Sequence, residues 1–124
     1  MSAEDLREPT LLVLTALTAG PRHGYALIEV VGELSGGRVR LKPGSLYATL
    51  ERLAREGLVT ESGVEIVSGR QRRYFELTEE GADALAAQVE RLEALASTAA
   101  EGLRRHRSSR SRSGVGRPAL GGAS

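Results

Sequence analysis

Apolar residues recur at helical spacing in the first half of the chain, in segments separated by helix-breaking residues. The spacing predicts helices over residues 9–19, 23–34 and 44–56. Pro9 suits a first helical turn, whereas Gly20-Pro21 and Gly57 end the first and third of these helices. Before the third helix, residues 38–41 alternate basic and apolar side chains, which predicts a short extended piece.

The pattern changes its period at about residue 58. Residues 58–78 contain two runs of β-branched and aromatic side chains, separated by Ser68-Gly69-Arg70, and they predict a β-hairpin with glycine at its turn. A long helix is then predicted from after Thr78 to about Arg105. Thr78 is its expected N-cap, and the acidic residues that follow Thr78 suit the positive end of the helix dipole.

Apolar residues of the long helix follow a heptad pattern, by which helices pair in coiled coils. Leu95 and Ala82 widen this heptad seam, whose members are Leu85, Val89, Leu92, Ala96, Ala99 and Leu103. No later element is predicted to cover the seam, so a second copy of the chain is its expected partner in a homodimer. The alternative is a monomer in which the long helix packs back on the first helix.

The third predicted helix has one apolar face, which is expected to pack against its own domain. That face consists of Leu46, Leu50 and Leu53. Three helices followed by a hairpin are the order of a winged helix-turn-helix, in which the third helix enters the major groove of DNA. The predicted fold is mainly α with a small β-hairpin. It comprises a winged helix-turn-helix DNA-binding domain over 1–78, a dimerisation helix over 79–105 and a disordered tail over 106–124.

The third helix and the hairpin supply the candidate DNA contacts. Ser45 and Thr49 are short enough to approach phosphates or bases, and Arg52 can bind a phosphate or a guanine edge. Gly44 allows a phosphate to approach the start of the helix, where Lys42 adds positive charge. The remaining candidates lie at the predicted tip and return strand of the hairpin and are Arg70, Arg72 and Arg73.

Charge is distributed unevenly along the 124 residues, although their formal net charge is only +1. Residues 38–73 carry eight basic residues against four glutamates within an otherwise acidic domain, which favours a local nucleic-acid surface. Residues 104–124 carry six arginines and no acid, and their Ser/Arg/Gly composition predicts disorder. This tail is interpreted as a solvated end, with auxiliary, nonspecific attraction to DNA as the alternative.

Composition also argues against several classes of protein. The chain has no cysteine and only two histidines, so neither a Cys nucleophile nor a Cys/His metal site is expected. No phosphate loop or paired carboxylates stand out, and an enzyme is not predicted. The acidic N-terminus is unlike a signal peptide and the longest apolar run is too short to span a bilayer, so a cytoplasmic protein without a membrane partner is expected.

Three stretches of the sequence closely resemble the PadR-like transcriptional regulators. They are LREPTLLVLTALTAGPRHGYALIEVV, KPGSLYATLERLAREGLVTE and SGRQRRYFELTEEGADAL, and the resemblance covers about residues 6–103. Its most specific pieces are His23-Gly24-Tyr25, Gly44-Ser45-Leu46-Tyr47, Glu56-Gly57-Leu58 and Arg73-Tyr74-Phe75. The arginine-rich residues past Arg104 match no motif of the family.

The resemblance implies a winged-helix domain with a single C-terminal dimerisation helix, as in short-form members. It implies a dimeric repressor of a near-palindromic, double-stranded operator, released by a small-molecule ligand near the dimer interface. No cofactor is expected, and a dimer cavity lined by Leu, Val and Ala would suit an unidentified hydrophobic effector. The chain departs from some ligand-binding members in lacking the Trp with which they stack flat aromatics.

Three aromatic side chains have alternative interpretations. The position of Tyr47 often contacts the DNA backbone in this family, whereas its place at the border of the buried helix face favours packing. His23 is interpreted as a capping or packing residue, and Tyr25 as a core residue with a phosphate contact as the alternative. A different class of function also stays open, namely a winged-helix protein-interaction adaptor without specific DNA binding.

Overall fold

The computed structural model describes residues 6–113, and its elements follow the predicted order. They are α1 (Glu8–Ala16, followed by a 3₁₀ turn at Leu17–Ala19), β1 (Arg22–His23), α2 (Gly24–Leu34), α3 (Pro43–Arg55), β2 (Val59–Val67), β3 (Arg70–Leu77) and α4 (Glu79–Ser113). The chain divides into two compact units between Gln88 and Val89. The first unit therefore holds α1 to α3, the sheet and the start of α4.

Local capping explains the bounds of the predicted helices, all three of which are confirmed. Pro43 occupies the first turn of α3, where its missing N–H leaves no hydrogen bond unmade. The Nδ1 atom of His23 accepts a hydrogen bond from the Ala26 N–H at 3.4 Å, which confirms the capping role of His23. Gly57 follows α3 with a φ of +81°, a left-handed conformation that ends the helix.

The core of the first unit is aliphatic, with Phe75 of β3 as its one fully buried aromatic side chain among the described residues. The other side chains with essentially no exposure are Val13, Leu14, Leu17, Leu27, Val31, Leu46, Leu50 and Leu53. The face of α3 predicted to pack inward is therefore buried as expected. This burial fixes which residues of α3 face away from the domain.

The predicted hairpin is confirmed, but it belongs to a three-stranded antiparallel sheet in the order β1-β3-β2. Ser68 and Gly69 both have positive φ, at 52° and 77°, as a two-residue type I′ turn requires. The sequence pattern missed β1 because it has only two residues, which pair with Tyr74 and Phe75 of β3. The extended piece predicted over 38–41 joins no strand of this sheet.

α4 runs to Ser113, so the prediction of disorder from residue 106 is wrong for residues 106–113. Arg104 and Arg105 both pair with Glu101 one turn earlier, which supports the helix at this point. Arginine is a good helix former, and no Gly or Pro occurs between Leu103 and Gly114. The rest of the predicted tail, residues 114–124, lies outside the described residues. No helix within 6–113 combines the length and the apolarity needed to cross a membrane.

The start of α4 is fixed to the end of α3 through Thr78. Its hydroxyl accepts a hydrogen bond from the Gly81 N–H at 2.9 Å and donates one to the Gly57 carbonyl at 2.6 Å, so the predicted N-cap is confirmed. Gly81 is buried against the backbone of Leu58. A Cβ atom at residue 81 would lie 2.0 Å from the Leu58 carbonyl oxygen, so no larger residue fits without movement of the chain.

We expect Gly81→Ala to lower the free energy of unfolding by about 1–3 kcal/mol, because the added methyl group meets backbone atoms. Gly32→Ala in α2 is the matched control, since a Cβ there has nothing within 4 Å. It should leave stability unchanged or raise it by up to about 1 kcal/mol. Urea denaturation followed by circular dichroism measures both, and equal stabilities of the two variants would contradict the packing described for Gly81.

Candidate nucleic-acid interface

The face of α3 opposite the buried leucines is a stripe of exposed residues spaced four, three and four apart. It consists of Gly44, Ala48, Glu51 and Arg55. The predicted contacts Ser45 and Arg52 flank this stripe, and Thr49 is half-buried. The sequence prediction missed Arg55 because it placed the outward side of this helix at Ser45, Thr49 and Arg52. Counting helical turns from Leu46, Leu50 and Leu53 would have found it.

Lys42, Gly44 and Ser45 lie together at the start of α3, and all three are exposed. Lys42 is the N-cap residue, and its side chain makes no capping hydrogen bond. Pro43 supplies no N–H, so the backbone donors of this first turn begin with Gly44. The helix start therefore combines backbone N–H groups, a hydroxyl and an ammonium group, which together suit a phosphate.

Arg52 has a structural contact in addition to its partial exposure. One of its terminal nitrogens donates a hydrogen bond to Thr10 Oγ1 at 2.9 Å, and its Nε lies 4.0 Å from a carboxylate oxygen of Glu56. Thr10 is buried in α1, so this contact ties α3 to α1. The side chain remains 39% exposed, and its contact with DNA stays a prediction.

Tyr47 packs between α2 and the sheet, as the packing alternative expected. A Cβ atom at Gly24 would lie 2.4 Å from the Tyr47 hydroxyl oxygen, so the glycine allows the phenol to rest on the first turn of α2. The ring centroid of Tyr47 lies 6.3 Å from that of Phe75, and the Arg73 guanidinium lies 5.8 Å from the Tyr47 centroid. The DNA contact of Tyr47 stays a prediction, since its ring is only half-buried.

Arg73 lies where the wing, the β2–β3 hairpin, meets the recognition helix α3. Its guanidinium donates two hydrogen bonds of 3.2 Å to the Glu61 carboxylate, and it lies 5.2 Å from the centroid of the Phe75 ring. Hydrogen bonding to Glu61 raises the pKa of Arg73 above its ordinary value. The Glu61 pair thus joins β2 to β3 within the wing, and the contact with the Tyr47 ring joins the wing to α3.

The tip of the wing and the start of α2 enclose a hollow of about 300 Å³. Its lining includes Tyr25, Tyr47, Arg70, Gln71 and Arg72, together with His23. The side chain of Arg70 is exposed and makes no hydrogen bond or ion pair within residues 6–113. Two predicted wing residues and one predicted α3 residue thus meet around one concave surface.

Tyr25 is 64% exposed, so the prediction of a core position for it is wrong. In a helix, residues two apart point to nearly opposite sides, and Leu27 is the one that is fully buried. The ring of Tyr25 therefore faces outward at the rim of the hollow. This position leaves its hydroxyl available for a phosphate, which was the alternative interpretation.

Nearby on β3, Tyr74 is held by the opposite strand. Its hydroxyl donates a hydrogen bond to a Glu65 carboxylate oxygen at 2.8 Å, which raises the pKa of Tyr74. Its ring also meets that of His23 edge-on, with centroids 5.4 Å apart. The ring contact connects the wing to the start of α2.

The heptad seam of α4 differs in exposure along its length. Leu85 packs against the core of the first unit, which gives it a role within its own chain. In the second unit, Val89 and Leu92 are about two-fifths exposed, whereas Leu95 and Leu103 are 66% and 49% exposed. Ala96 and Ala99 are also exposed. The described residues therefore leave most of the seam uncovered.

Three helices, a β-hairpin wing and a basic surface that joins the third helix to the wing define a winged helix-turn-helix protein. The sequence profile described as the Transcriptional regulator PadR-like family matches residues 13–87. The chain belongs to this family. Because its members are transcriptional regulators and not enzymes, the predictions of a regulator and of a protein without enzymatic activity are confirmed.

Known relatives agree with this assignment. The chain is 42% identical over 74 residues to "Transcriptional regulator Rv3488" of Mycobacterium tuberculosis, an alignment of 60% of this chain and 65% of that protein. A PadR family regulator from Clostridium difficile R20291 has the same fold, with a TM-score of 0.63 and 23% identity, and the match covers 78% of this chain and 99% of that one. Bacillus subtilis PadR in complex with operator DNA gives a TM-score of 0.59 and 24% identity, and the match covers 67% of this chain and 48% of that one. The chain spans less than two thirds of the length of the curated relatives it matches.

We expect Arg73→Gln to lower the free energy of unfolding by roughly 1 kcal/mol, because it removes the Glu61 pair and the contacts with two aromatic rings. Arg70→Gln is the matched control, because it removes the same charge from a side chain without a partner in the described residues. It should change stability by less than about 0.5 kcal/mol. Thermal unfolding of both variants measures the difference, and an equal loss in the two would show that Arg73 does not hold the wing.

Proposed function

We propose that the chain is a transcriptional repressor that binds a near-palindromic operator as a homodimer and is released by a hydrophobic small molecule. The observation that carries the proposal is the concave surface where Tyr47 of α3 meets Arg70 and Arg72 of the wing. A duplex seated on α3 places its phosphates beside the wing in this class of fold. Arginine and tyrosine side chains are common donors to such phosphates.

Base recognition is assigned to the exposed stripe of α3 and its flanks. Arg55 is exposed in the last turn of the helix, where its guanidinium can reach a phosphate or a guanine edge. Ala48 offers a methyl group for contact with thymine, and the small Gly44 and Ser45 let the helix enter the groove closely. The solved complex of Bacillus subtilis PadR with operator DNA supports this use of the shared fold.

Dimerisation is assigned to the exposed part of the heptad seam in α4. Its leucines and valine lie on one face at coiled-coil spacing and are each at least 41% exposed. Two chains joined there present two recognition helices, which matches the symmetry of a near-palindromic site. An effector that inserts between the apolar seam residues would change the distance between these helices and lower the affinity for the operator.

We expect the double variant Arg70→Gln/Arg72→Gln to bind DNA at least about tenfold more weakly, because two phosphate contacts are lost. Fluorescence anisotropy with duplexes tiled upstream of the gene measures the affinity. The variant Arg70→Lys/Arg72→Lys is the control, because it keeps both charges and should retain most of the binding. Equal binding by the glutamine variant and the unaltered protein would contradict the phosphate contacts proposed for Arg70 and Arg72, whereas no binding of any duplex by the unaltered protein would favour a protein-interaction adaptor.

We expect Val89→Asp/Leu92→Asp to be monomeric, because it places two charges in the proposed interface. Ala94→Asp is the control, since residue 94 lies on the opposite side of the helix from the seam. Light scattering should give the mass of a monomer for the double variant and the mass of a dimer for the control. A double variant that remains dimeric would exclude the seam as the interface.

A further inference from the structure

The last turns of α4 carry a dense cluster of positive charge that the winged-helix fold does not use. Residues 104–112 include five arginines and His106 and no acidic residue, and every one of them is exposed. The cluster begins directly after Leu103, the last member of the heptad seam. The family profile ends at residue 87, so this basic segment lies outside the part of the chain that the family match covers.

The arginines surround the helix instead of lying on one face. Arg104, Arg107 and Arg110 follow at intervals of three, and Arg105 and Arg112 lie a heptad apart on another side. No apolar residue occurs from 104 to 113, so the segment offers nothing that a coiled-coil partner would bury. A helix that is basic on all sides is suited to a partner with distributed negative charge.

The charges within the segment are only partly compensated. Glu101 pairs with Arg104 and Arg105. Arg107, Arg110 and Arg112 have no ion pair within residues 6–113. Like charges three and four residues apart on a helix repel one another, and an anionic partner removes this cost. The last three arginines are therefore the ones that an external ligand would neutralise.

We propose that residues 104–112, and Arg107, Arg110 and Arg112 above all, form a second contact with the DNA phosphate backbone outside the winged-helix surface. The inference rests on the proposed DNA-binding function. At 1.5 Å per residue the segment spans about 13 Å, over which a duplex carries roughly eight phosphates. This charge density matches nucleic acid more closely than the scattered acids of an average protein surface. The contact adds affinity without sequence preference.

The test compares the full chain with the triple variant Arg107→Gln/Arg110→Gln/Arg112→Gln in anisotropy titrations over a range of salt. Glutamine is a good helix former, and circular dichroism checks that helix content is retained. If the three arginines contact phosphates, a rise in salt from about 50 to 200 mM lowers the DNA affinity of the unaltered chain roughly 40-fold more than that of the variant. The variant should therefore have the shallower salt dependence. The corresponding triple lysine variant should keep the steep dependence, because it retains the charges.

The two proposals fail in different ways. If the unaltered chain binds no upstream duplex in preference to unrelated competitor DNA, the operator-binding function is contradicted. An unchanged salt dependence in the triple glutamine variant, with operator preference intact, would overturn the second contact alone. A third outcome would assign the segment to a membrane surface instead. In that case the unaltered chain binds anionic phosphatidylserine vesicles and the triple glutamine variant does not, while the salt dependence of DNA binding is the same in both.

Discussion

Burial of the leucine face of α3 is the constraint on which the rest of the structure depends. Leu46, Leu50 and Leu53 have no exposure, so the rotation of α3 about its axis is fixed by the core. That rotation turns the Gly44-to-Arg55 stripe outward. It also brings Tyr47 against Gly24 and the sheet. The composition of the recognition surface is thus a consequence of packing on the opposite side of the same helix.

The arginines of this surface divide into those that hold the fold and those that are available to a ligand. Arg52 bonds to Thr10 and Arg73 bonds to Glu61, and each contact joins two elements of the first unit. Arg70 has no partner within the described residues, and Arg55 is exposed in the last turn of α3. Arg55 and Arg70 can therefore meet a phosphate without the loss of a contact within the fold.

Sequence patterns predicted the architecture well where periodicity was long and unambiguous. The leucine spacing of α3, the glycine turn of the wing and the Thr78 cap of α4 all follow from local chemistry. The pattern missed β1, because a strand of two residues shows no periodicity. It also placed Tyr25 in the core, because the aromatic character of Tyr25 was given more weight than its position in the helix turn. It also ended α4 too early, since Ser/Arg composition was given more weight than the absence of a helix breaker before Gly114.

The candidate site was harder to predict than the fold, because it depends on tertiary contacts. The sequence does not reveal that Arg73 pairs with Glu61 across the hairpin, a register that the bulge between Glu61 and Gly63 determines. Nor does it reveal that Gly24 makes room for the Tyr47 hydroxyl. Each contact joins two different elements, so neither follows from the pattern of a single segment.

Hydroxyl-radical footprinting of the purified protein on the region upstream of its gene would show whether a dimer binds one specific site. We expect two protected patches related by symmetry, with centres separated by about one turn of the duplex or a multiple of it. Excess unrelated DNA should leave both patches in place. Protection that is uniform along the fragment, or that disappears with competitor, would contradict a sequence-specific dimeric regulator.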